Sequence, residues 1–181
     1  MSQGPEYVRQ PAPFDGRVVL VDHDPTWAQE YDVLEAAIRT ALGDVAAVVE
    51  HCGSTSVPGL AAKPVIDILL LVPDPADEPA YASRLDAAGF PLHVREPEWH
   101  EHRLFRRDEP RVNLHVFAVG SPEAERLLLF RDTLRRDAGE RELYEATKRD
   151  LAGRTWDRVQ DYADAKAEVV EGILARAHRH P

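Results

Sequence analysis

The stretch HCGSTSVPGLAAKPVIDILLLV, residues 51–72, contains a glycine–serine turn followed by one aspartate in an otherwise apolar run. The turn offers five residues that suit a phosphate group: Gly53, Ser54, Thr55, Ser56 and Lys63. Glycine lets a ligand approach the backbone closely, free N–H groups and hydroxyls can hold phosphate oxygens, and an ammonium group offsets phosphate charge. The pattern predicts a phosphate-binding loop, although the same residues also suit an ordinary tight turn.

Asp67 lies within the run VIDILLLV, where a buried strand should carry only aliphatic side chains. Burying an ionised carboxylate without partners costs several kcal/mol, so Asp67 must have a reason to be there. One reason is a hydrogen-bonding role beneath the turn. The other is a cleft in which Asp67 faces the turn and holds Mg²⁺ or Mn²⁺, a kind of ion that usually arrives already bound to phosphates.

His115, in the later run VNLHVFA, is the second candidate for chemistry. Three roles are compatible with it. It could ligate a softer metal such as Zn²⁺ or Mn²⁺ beside Asp67, with His51 as a further ligand. It could form an acid–base pair with Asp67 that works near neutral pH. It could also be a structural histidine bonded to the backbone.

Several charged residues outside the turn allow both a binding and a structural interpretation. The run EWHEH, residues 98–102, has the H-x-H spacing of some zinc sites, but we expect a polar loop there. Arg131 and Arg135 stand one helical turn apart, so they could reach a phosphate or form a charged helix face. We include Arg131 among the phosphate-binding candidates. Lys148 and Lys166 have the same two interpretations.

The composition limits the class of partner. The net charge is −10, from 32 acidic and 22 basic residues, which disfavours a nucleic-acid groove because such grooves need clustered Lys and Arg. No run reaches the roughly 18 apolar residues needed to span a bilayer. The single cysteine, Cys52, excludes an intramolecular disulfide and fits a reducing compartment. Residues 1–16 lack a signal-peptide core, so we expect a cytoplasmic protein.

Hydrophobic periodicity and turn residues predict the elements that position these side chains. We expect residues 1–16 to form a flexible N-terminal arm and residues 17–181 to form a single domain. The predicted strands are residues 17–21, 45–51 and 65–72 and a hairpin over 103–119. The predicted helices are residues 25–42, a short one ending near Gly89, 121–137, 140–152 and 158–177. Strands come first and helices cluster late, which favours an α+β fold with a mixed sheet flanked by helices and a helical C-terminal segment.

The longer stretch EHCGSTSVPGLAAKPVIDILLLV resembles the signature of the GrpB family, which belongs to the polymerase-beta-like nucleotidyltransferase superfamily. The segment VVLVDHDPTWAQEYDVLEAAI resembles the opening segment of that family. NLHVFAVGSPEAERLLLFRDTLR, YEATKRDLA and YADAKAEVV resemble its C-terminal helices. The resemblance therefore extends over residues 17–175.

The resemblance implies a nucleotide site between the Gly-Ser loop and the aspartate strand. Gly53 and Ser54 match the phosphate loop, and Asp67 matches the first of the carboxylates that bind metal in active nucleotidyltransferases. The second carboxylate position is Leu69, and the strand that should bring the third acid carries His115. The implied activity is metal-assisted transfer of a nucleotidyl group from an NTP to a small acceptor.

The alternative is a non-catalytic module that retains the fold. The family resembled includes domains fused to dephospho-CoA kinases, so such a module would bind a nucleotide or a CoA-related ligand. The loss of the second carboxylate, at Leu69, leaves the choice between enzyme and binding module open.

Overall fold

A six-stranded mixed sheet forms the centre of the molecule in a computed structural model that describes residues 4–10 and 13–179. The strands are β1 Glu6–Tyr7, β2 Val48–Cys52, β3 Ile66–Val72, β4 Leu92–Glu96, β5 His102–Arg107 and β6 Val112–Ala118. Their order in the sheet is β1-β4-β5-β6-β3-β2. The helices are α1 Thr26–Leu42, α2 Ala82–Ala87, α3 Pro122–Arg136, α4 Ala138–Ala152, α5 Val159–Asp164 and α6 Ala167–Arg179.

The main hydrophobic core lies between one face of the sheet and helices α1 and α2. Trp27, Leu34, Ile38 and Leu42 recur at helical spacing and bury one side of α1. They meet the alternate aliphatic residues of the central strands, which are Ile66, Ile68, Leu70, Val72, Val112, Leu114 and Val116. Because side chains alternate along a strand, the residues between these positions project from the opposite face.

Strands β3 and β6 are parallel neighbours at the centre of the sheet, whereas the other strand pairs are antiparallel. Their register pairs Asp67 with Asn113 and Leu69 with His115. Residues paired in this way lie on the same face, so the polar groups of both strands share the face away from the main core. This register positions the candidate site.

Helix α3 covers only part of that second face. Cys52, Leu69 and Phe117 pack there against Ala124. Further along the same side, α3, α4 and α6 pack together around Leu134, Tyr144 and Ile173 with the loop that follows the Gly-Ser turn. Asp67 and His115 keep 29% and 28% of their side-chain surface exposed, so the helices leave a recess over them.

The predicted α+β fold, with its mixed sheet and helical C-terminal segment, is confirmed. The helix over 25–42 and the hairpin over 103–119 are present within one or two residues of their predicted ends. The prediction of a strand at 17–21 is wrong. That segment is not part of the sheet, and within it only Val21 forms a β-bridge, an isolated one with Ala62. The helix predicted over 158–177 is broken between α5 and α6.

Two further features lie at the N-terminus and at the edge of the sheet. Strand β1 pairs with β4 at the sheet edge, and Phe14 packs against the cluster of Val18, Leu151 and Tyr162. The predictions for residues 1–3, 11–12 and 180–181 lie outside the described residues. The sequence pattern gave no signal for β4. Within the described ranges, no helix is both long and apolar enough to cross a bilayer.

Replacing Leu114 with alanine tests the role of the central strands. Leu114 is 0% exposed, so Leu114→Ala should lower the free energy of unfolding by about 2–5 kcal/mol. Val33→Ala is the matched control, because Val33 is 72% exposed and its truncation should change that free energy by less than about 0.5 kcal/mol. Urea unfolding followed by circular dichroism measures both. Equal losses in the two variants would contradict the assigned core.

Candidate ligand-binding site

The Gly-Ser turn lies directly against Asp67. Gly53 has φ +69° and ψ −176°, a conformation that is essentially restricted to glycine, and Ser54–Ser56 then form one turn of 3-10 helix. A Cβ atom on Gly53 would lie 2.3 Å from Oδ2 of Asp67. The structure therefore places the turn and the carboxylate face to face, as the sequence predicts.

Asp67 is ionised at neutral pH. Its Oδ1 accepts a hydrogen bond of 2.9 Å from Nδ2 of Asn113 and lies 3.8 Å from Nε2 of His115. Burial acts to raise the pKa of Asp67, but the imidazolium form of His115, the amide of Asn113 and the charge of Lys63 outweigh burial and hold the pKa below its usual value. These polar partners therefore stabilise the carboxylate of Asp67 within an otherwise apolar strand.

Helix α4 brings a buried lysine to the turn. Nζ of Lys148 donates to Oγ of Ser54 at 3.0 Å and to the carbonyl oxygen of Ala61. It also lies 4.8 Å from the ring centroid of Tyr144. One turn earlier on the same helix, Glu145 accepts a 3.0 Å hydrogen bond from the amide of Ala61. Helix α4 therefore holds the loop after the turn through both the N–H and the C=O group of Ala61.

Two further lysines lie near Lys148. Lys63 belongs to the loop after the Gly-Ser turn, and Lys166 lies at the break between α5 and α6. Nζ of Lys63 and Nζ of Lys166 lie 5.5 Å and 4.7 Å from the ring centroid of Tyr162. Both ammonium groups act on Lys148, whose pKa is lowered to about 7 by burial first and then by these and neighbouring charges. Burial, together with the charge of Lys166, also lowers the pKa of Lys63.

These are the only three lysines in the sequence, against 19 arginines. We call the space bounded by Ser54, Lys63, Asp67, His115, Lys148 and Lys166 the lysine recess. Sequence reasoning named Lys63 but left Lys148 and Lys166 undecided, because each could have belonged to a charged helix face. The signal that could have found them is the scarcity of lysine, which the sequence itself contains.

Two buried polar atoms beside the recess have no hydrogen-bond partner among the described residues. They are Nε of Arg106 and the hydroxyl of Tyr162. Arg106 pairs in register with Asn113 and so lies on the same face as Asp67. Buried polar groups are usually satisfied, so orphan donors at a recess favour a bound ligand or ordered water there.

A chain of hydrogen bonds runs from β4 to His115. Nδ1 of His102 lies 2.7 Å from Oε2 of Glu96, and Nε2 of His102 lies 3.1 Å from Nδ1 of His115. The prediction of a polar loop over residues 98–102 is wrong for its last residue, because His102 begins β5 and is 3% exposed. Burial lowers the pKa of His102 to about 4, even though Glu96 acts in the opposite direction.

His51 does not join Asp67 and His115. In the β2–β3 register Cys52 pairs with Asp67, so His51, one residue earlier, projects from the core side of the sheet. Its Nε2 lies 3.0 Å from Oγ1 of Thr55, and its ring stacks on Tyr31 at 4.7 Å. Burial lowers the pKa of His51 to about 4. The expectation that His51 completes a metal site is therefore wrong.

Arg131 and two of the hydroxyls are already engaged in the fold. Nη1 of Arg131 donates to Glu50 at 2.7 Å and to the carbonyl oxygen of His51 at 3.0 Å, so its role as a phosphate ligand is not supported. Thr55 donates to the carbonyl oxygen of Val65 at 3.2 Å, and Ser56 donates to that of Gly53 at 2.6 Å. Of the predicted hydroxyls, Ser54 is the one that contacts the lysine recess.

The donor set limits what metal chemistry the site can support. Within residues 4–10 and 13–179, no group of three or more His, Cys, Asp or Glu side chains is arranged to hold a metal ion. Asp67 and His115 supply two potential ligands, while Leu69 packs with Cys52 and Phe117 where a second carboxylate would be needed. A single divalent ion that takes its other ligands from phosphates or water fits this pair, and two Mg²⁺ ions do not.

Gly53→Ala tests the contact between the turn and Asp67. The new Cβ would overlap the carboxylate, and alanine at this backbone conformation is strained, so we expect a loss of at least about 1–3 kcal/mol of unfolding free energy. The control is Gly59→Ala in the same loop, where φ is +79° but no heavy atom lies within 4 Å of the new Cβ. Thermal or urea unfolding of both variants gives the comparison. A smaller loss in Gly53→Ala than in Gly59→Ala would show that the contact is not made.

Comparison with known proteins gives a consistent family and fold. The sequence model described as GrpB protein matches residues 17–176. A UPF0157 protein of Halalkalibacterium halodurans is 48% identical over 166 residues, which cover 92% of this chain and 85% of that protein. The crystal structure of the conserved protein GrpB from Enterococcus faecalis has a TM-score of 0.75 and 27% identity, and the match covers 88% of this chain and 96% of that chain.

A more distant similarity is to a dephospho-CoA kinase of Mycolicibacterium paratuberculosis. It is 31% identical over 186 residues, which cover 88% of this chain but only 46% of that enzyme. The similarity therefore concerns a part of the kinase, and the kinase activity does not carry over with it. The family match extends over nearly the whole chain, includes both the Gly-Ser turn and Asp67, and agrees with the nucleotidyltransferase-like superfamily. This chain belongs to the GrpB family.

Proposed function

We propose that the lysine recess binds a nucleotide or a related phosphorylated small molecule. The observation that carries the proposal is the clustering of all three lysines of the chain: Lys148 donates to Ser54 of the Gly-Ser turn, and Lys63 and Lys166, which share the ring of Tyr162, lie close enough for their charges to act on Lys148. Ammonium groups, a hydroxyl and a glycine turn are the donors that phosphate oxygens require. An acidic chain with a net charge of −10 concentrates these donors at one place.

The lysines differ from the arginines in how their charge is balanced. Many of the arginines pair with carboxylates, as Arg95 does with Glu78 and Arg176 with Glu140. None of the three lysines forms an ion pair with a carboxylate in the described part of the chain. Partly buried cations without a carboxylate partner are costly, and an anionic ligand would stabilise them.

The similarity to part of a dephospho-CoA kinase adds weak support for a nucleotide-related ligand. CoA and its precursor carry an adenosine diphosphate group, so both present the phosphate chemistry that the recess suits. The proposed ligand class is therefore a phosphorylated or nucleotide small molecule.

A second candidate function is transfer of a nucleotidyl group, and one observation favours it. His115 and Asp67 face each other with 3.8 Å between Nε2 and Oδ1, beside the proposed phosphate site. In such a reaction the oxygen of an acceptor hydroxyl bonds to the α-phosphorus of an NTP, the bond to the β-phosphate oxygen breaks, and pyrophosphate leaves. His115 would take the proton of the hydroxyl, and Asp67 would stabilise the imidazolium that forms.

A divalent ion, Mg²⁺ or Mn²⁺ or else Zn²⁺, would be held by Asp67 and His115 and would supply neutralisation of phosphate charge. His115 cannot serve as both ligand and base through the same nitrogen. If a metal occupies Nε2, another group must therefore take the proton. Because the second carboxylate is replaced by Leu69, we rank ligand binding above transfer.

A thermal-shift experiment tests the binding proposal. The purified chain is heated with ATP, CoA, dephospho-CoA or pyrophosphate, each with and without Mg²⁺, Mn²⁺ or Zn²⁺. A ligand at about 100 times its Kd should add about 2.7 kcal/mol to the unfolding free energy and raise Tm. Lys148→Met should weaken binding by about 10- to 100-fold, because a charge-assisted hydrogen bond is lost.

Arg136→Met is the control, since Arg136 is an exposed cation at the end of α3, outside the recess. It should leave the shift unchanged. Asp67→Asn separates the two candidate functions. If the ligand shift requires a metal and disappears in Asp67→Asn, transfer gains weight; if the shift persists without metal, simple binding is favoured. No shift with any ligand under any condition would refute both.

The buried ammonium group of Lys148 should also make stability depend on pH. The folded-state pKa is about 7, against about 10.5 for an ordinary lysine, so between these values the unfolded chain binds a proton that the folded chain does not. The free energy of unfolding should therefore rise with pH from about 7 to about 10. Lys148→Met lacks this contribution. The unfolding free energy of the wild type minus that of the variant should therefore increase with pH over that range in urea titrations. A difference that stays flat or falls would contradict a buried lysine with a lowered pKa.

A further inference from the structure

The hydrogen-bonded chain Glu96–His102–His115 runs from β4 across β5 to β6 on the face of the sheet that carries Asp67. His102 is its middle member and lies between aromatic neighbours: its ring stacks on Phe117 at 4.7 Å and meets the edge of Trp99 at 5.1 Å. With 3% of its surface exposed, His102 has no access to solvent that could satisfy either ring nitrogen. Its hydrogen-bonding pattern is therefore set by Glu96 and His115 alone.

When both imidazoles are neutral, the hydrogen bonds along this chain allow one arrangement of protons. A carboxylate accepts, so Nδ1 of His102, which lies 2.7 Å from Glu96, carries the proton. In a neutral imidazole the other nitrogen is then an acceptor, so Nε2 of His102 accepts from Nδ1–H of His115 over 3.1 Å. The remaining nitrogen of a neutral His115, Nε2, is left with a free electron pair.

That free electron pair faces Asp67. Nε2 of His115 lies 3.8 Å from Oδ1 of Asp67, which is too long for a hydrogen bond. Oδ1 already accepts a hydrogen bond from Asn113. Two electron-pair donors therefore point into a shared space that opens on the recess, and this space suits a cation or an incoming proton.

We infer that Glu96 and His102 are positioning residues that hold neutral His115 in its Nδ1–H tautomer and so keep Nε2 available as an electron-pair donor beside Asp67. A carboxylate or histidine behind a ligating imidazole commonly fixes the tautomer in this way. The use of Nε2 as a base or metal ligand rests on the function proposed above, whereas the tautomer does not. An experiment can therefore refute the use of Nε2 as a base or ligand without refuting the tautomer, and the reverse.

Nuclear magnetic resonance of the ¹⁵N-labelled chain tests the tautomer directly. Long-range ¹H–¹⁵N correlations distinguish protonated from unprotonated ring nitrogens, and they are recorded at mildly alkaline pH, where imidazoles are neutral. In the wild type, His102 and His115 should both show a protonated Nδ1 and an unprotonated Nε2. An Nε2–H tautomer of His115 in the wild type would overturn the inference without any variant.

Glu96→Gln is the decisive variant because it replaces one carboxylate oxygen with an amide that can donate. The amide can donate to Nδ1 of His102, which reverses both hydrogen bonds and moves the proton of His115 to Nε2. We expect loss of the Nδ1–H signal of His115 and a fall of about 10- to 100-fold in Zn²⁺ affinity, measured by titration on the same resonances. Glu101→Gln, at an exposed carboxylate on the last residue of the turn between β4 and β5, is the control and should change neither.

Two outcomes of the variant would count against the inference. A His115 tautomer that is unchanged in Glu96→Gln, although Nδ1 of His102 has lost its proton, would show that Glu96 and His102 do not set it. Zn²⁺ affinity that is equal in wild type and Glu96→Gln, despite a changed tautomer, would show that Nε2 is not the ligand. Loss of nucleotide binding with an intact wild-type tautomer would instead refute only the function proposed for the recess.

Discussion

The contact between Gly53 and Asp67 is the constraint on which the rest of the site depends. Because a Cβ at position 53 would lie 2.3 Å from the carboxylate, the turn and strand β3 can approach as they do only through glycine. This approach places Ser54 where Lys148 can donate to it, and it leaves the other carboxylate oxygen for Asn113 and His115. Helix α4 then fixes the loop through Ala61. One small residue thus joins the sheet, the turn and a C-terminal helix at a single point.

Much of this arrangement could be predicted from the sequence because it follows from short-range rules. Alternation along a strand places Asp67 and His115 on one face once β3 and β6 are neighbours, and glycine marks the turn. His51 shows the limit of the same reasoning. It is adjacent to Cys52, which pairs with Asp67, so a register that differs by one residue decides whether it reaches the site. That register is set by tertiary pairing, and the residues around His51 carry no signal for it.

The elements that were not predicted depend on long-range contacts. Strand β4, LHVRE, has too weak an alternation to mark a strand, and it is ordered by pairing with β5 and with the N-terminal β1. This strand is important for the site because its last residue, Glu96, supplies the carboxylate that hydrogen-bonds to His102. The break between α5 and α6 is equally invisible in the periodicity, yet it brings Lys166 over the ring of Tyr162. Both features position groups at the site that belong to distant parts of the sequence.

The balance of charge at the recess indicates which interactions a ligand would meet. A two-metal nucleotidyltransferase neutralises phosphate charge chiefly with ions held by several carboxylates. Here one carboxylate remains, a leucine packs in place of the second, and three ammonium groups cluster nearby, one of which donates to Ser54 of the turn. Much of the neutralisation that metal ions provide elsewhere can therefore come from lysines. Burial, and after it the charges of the neighbouring lysines, lower the pKa of Lys148 to about 7. A bound anion offsets both effects by stabilising the ammonium form, so binding a phosphate should be accompanied by uptake of a proton at neutral or higher pH.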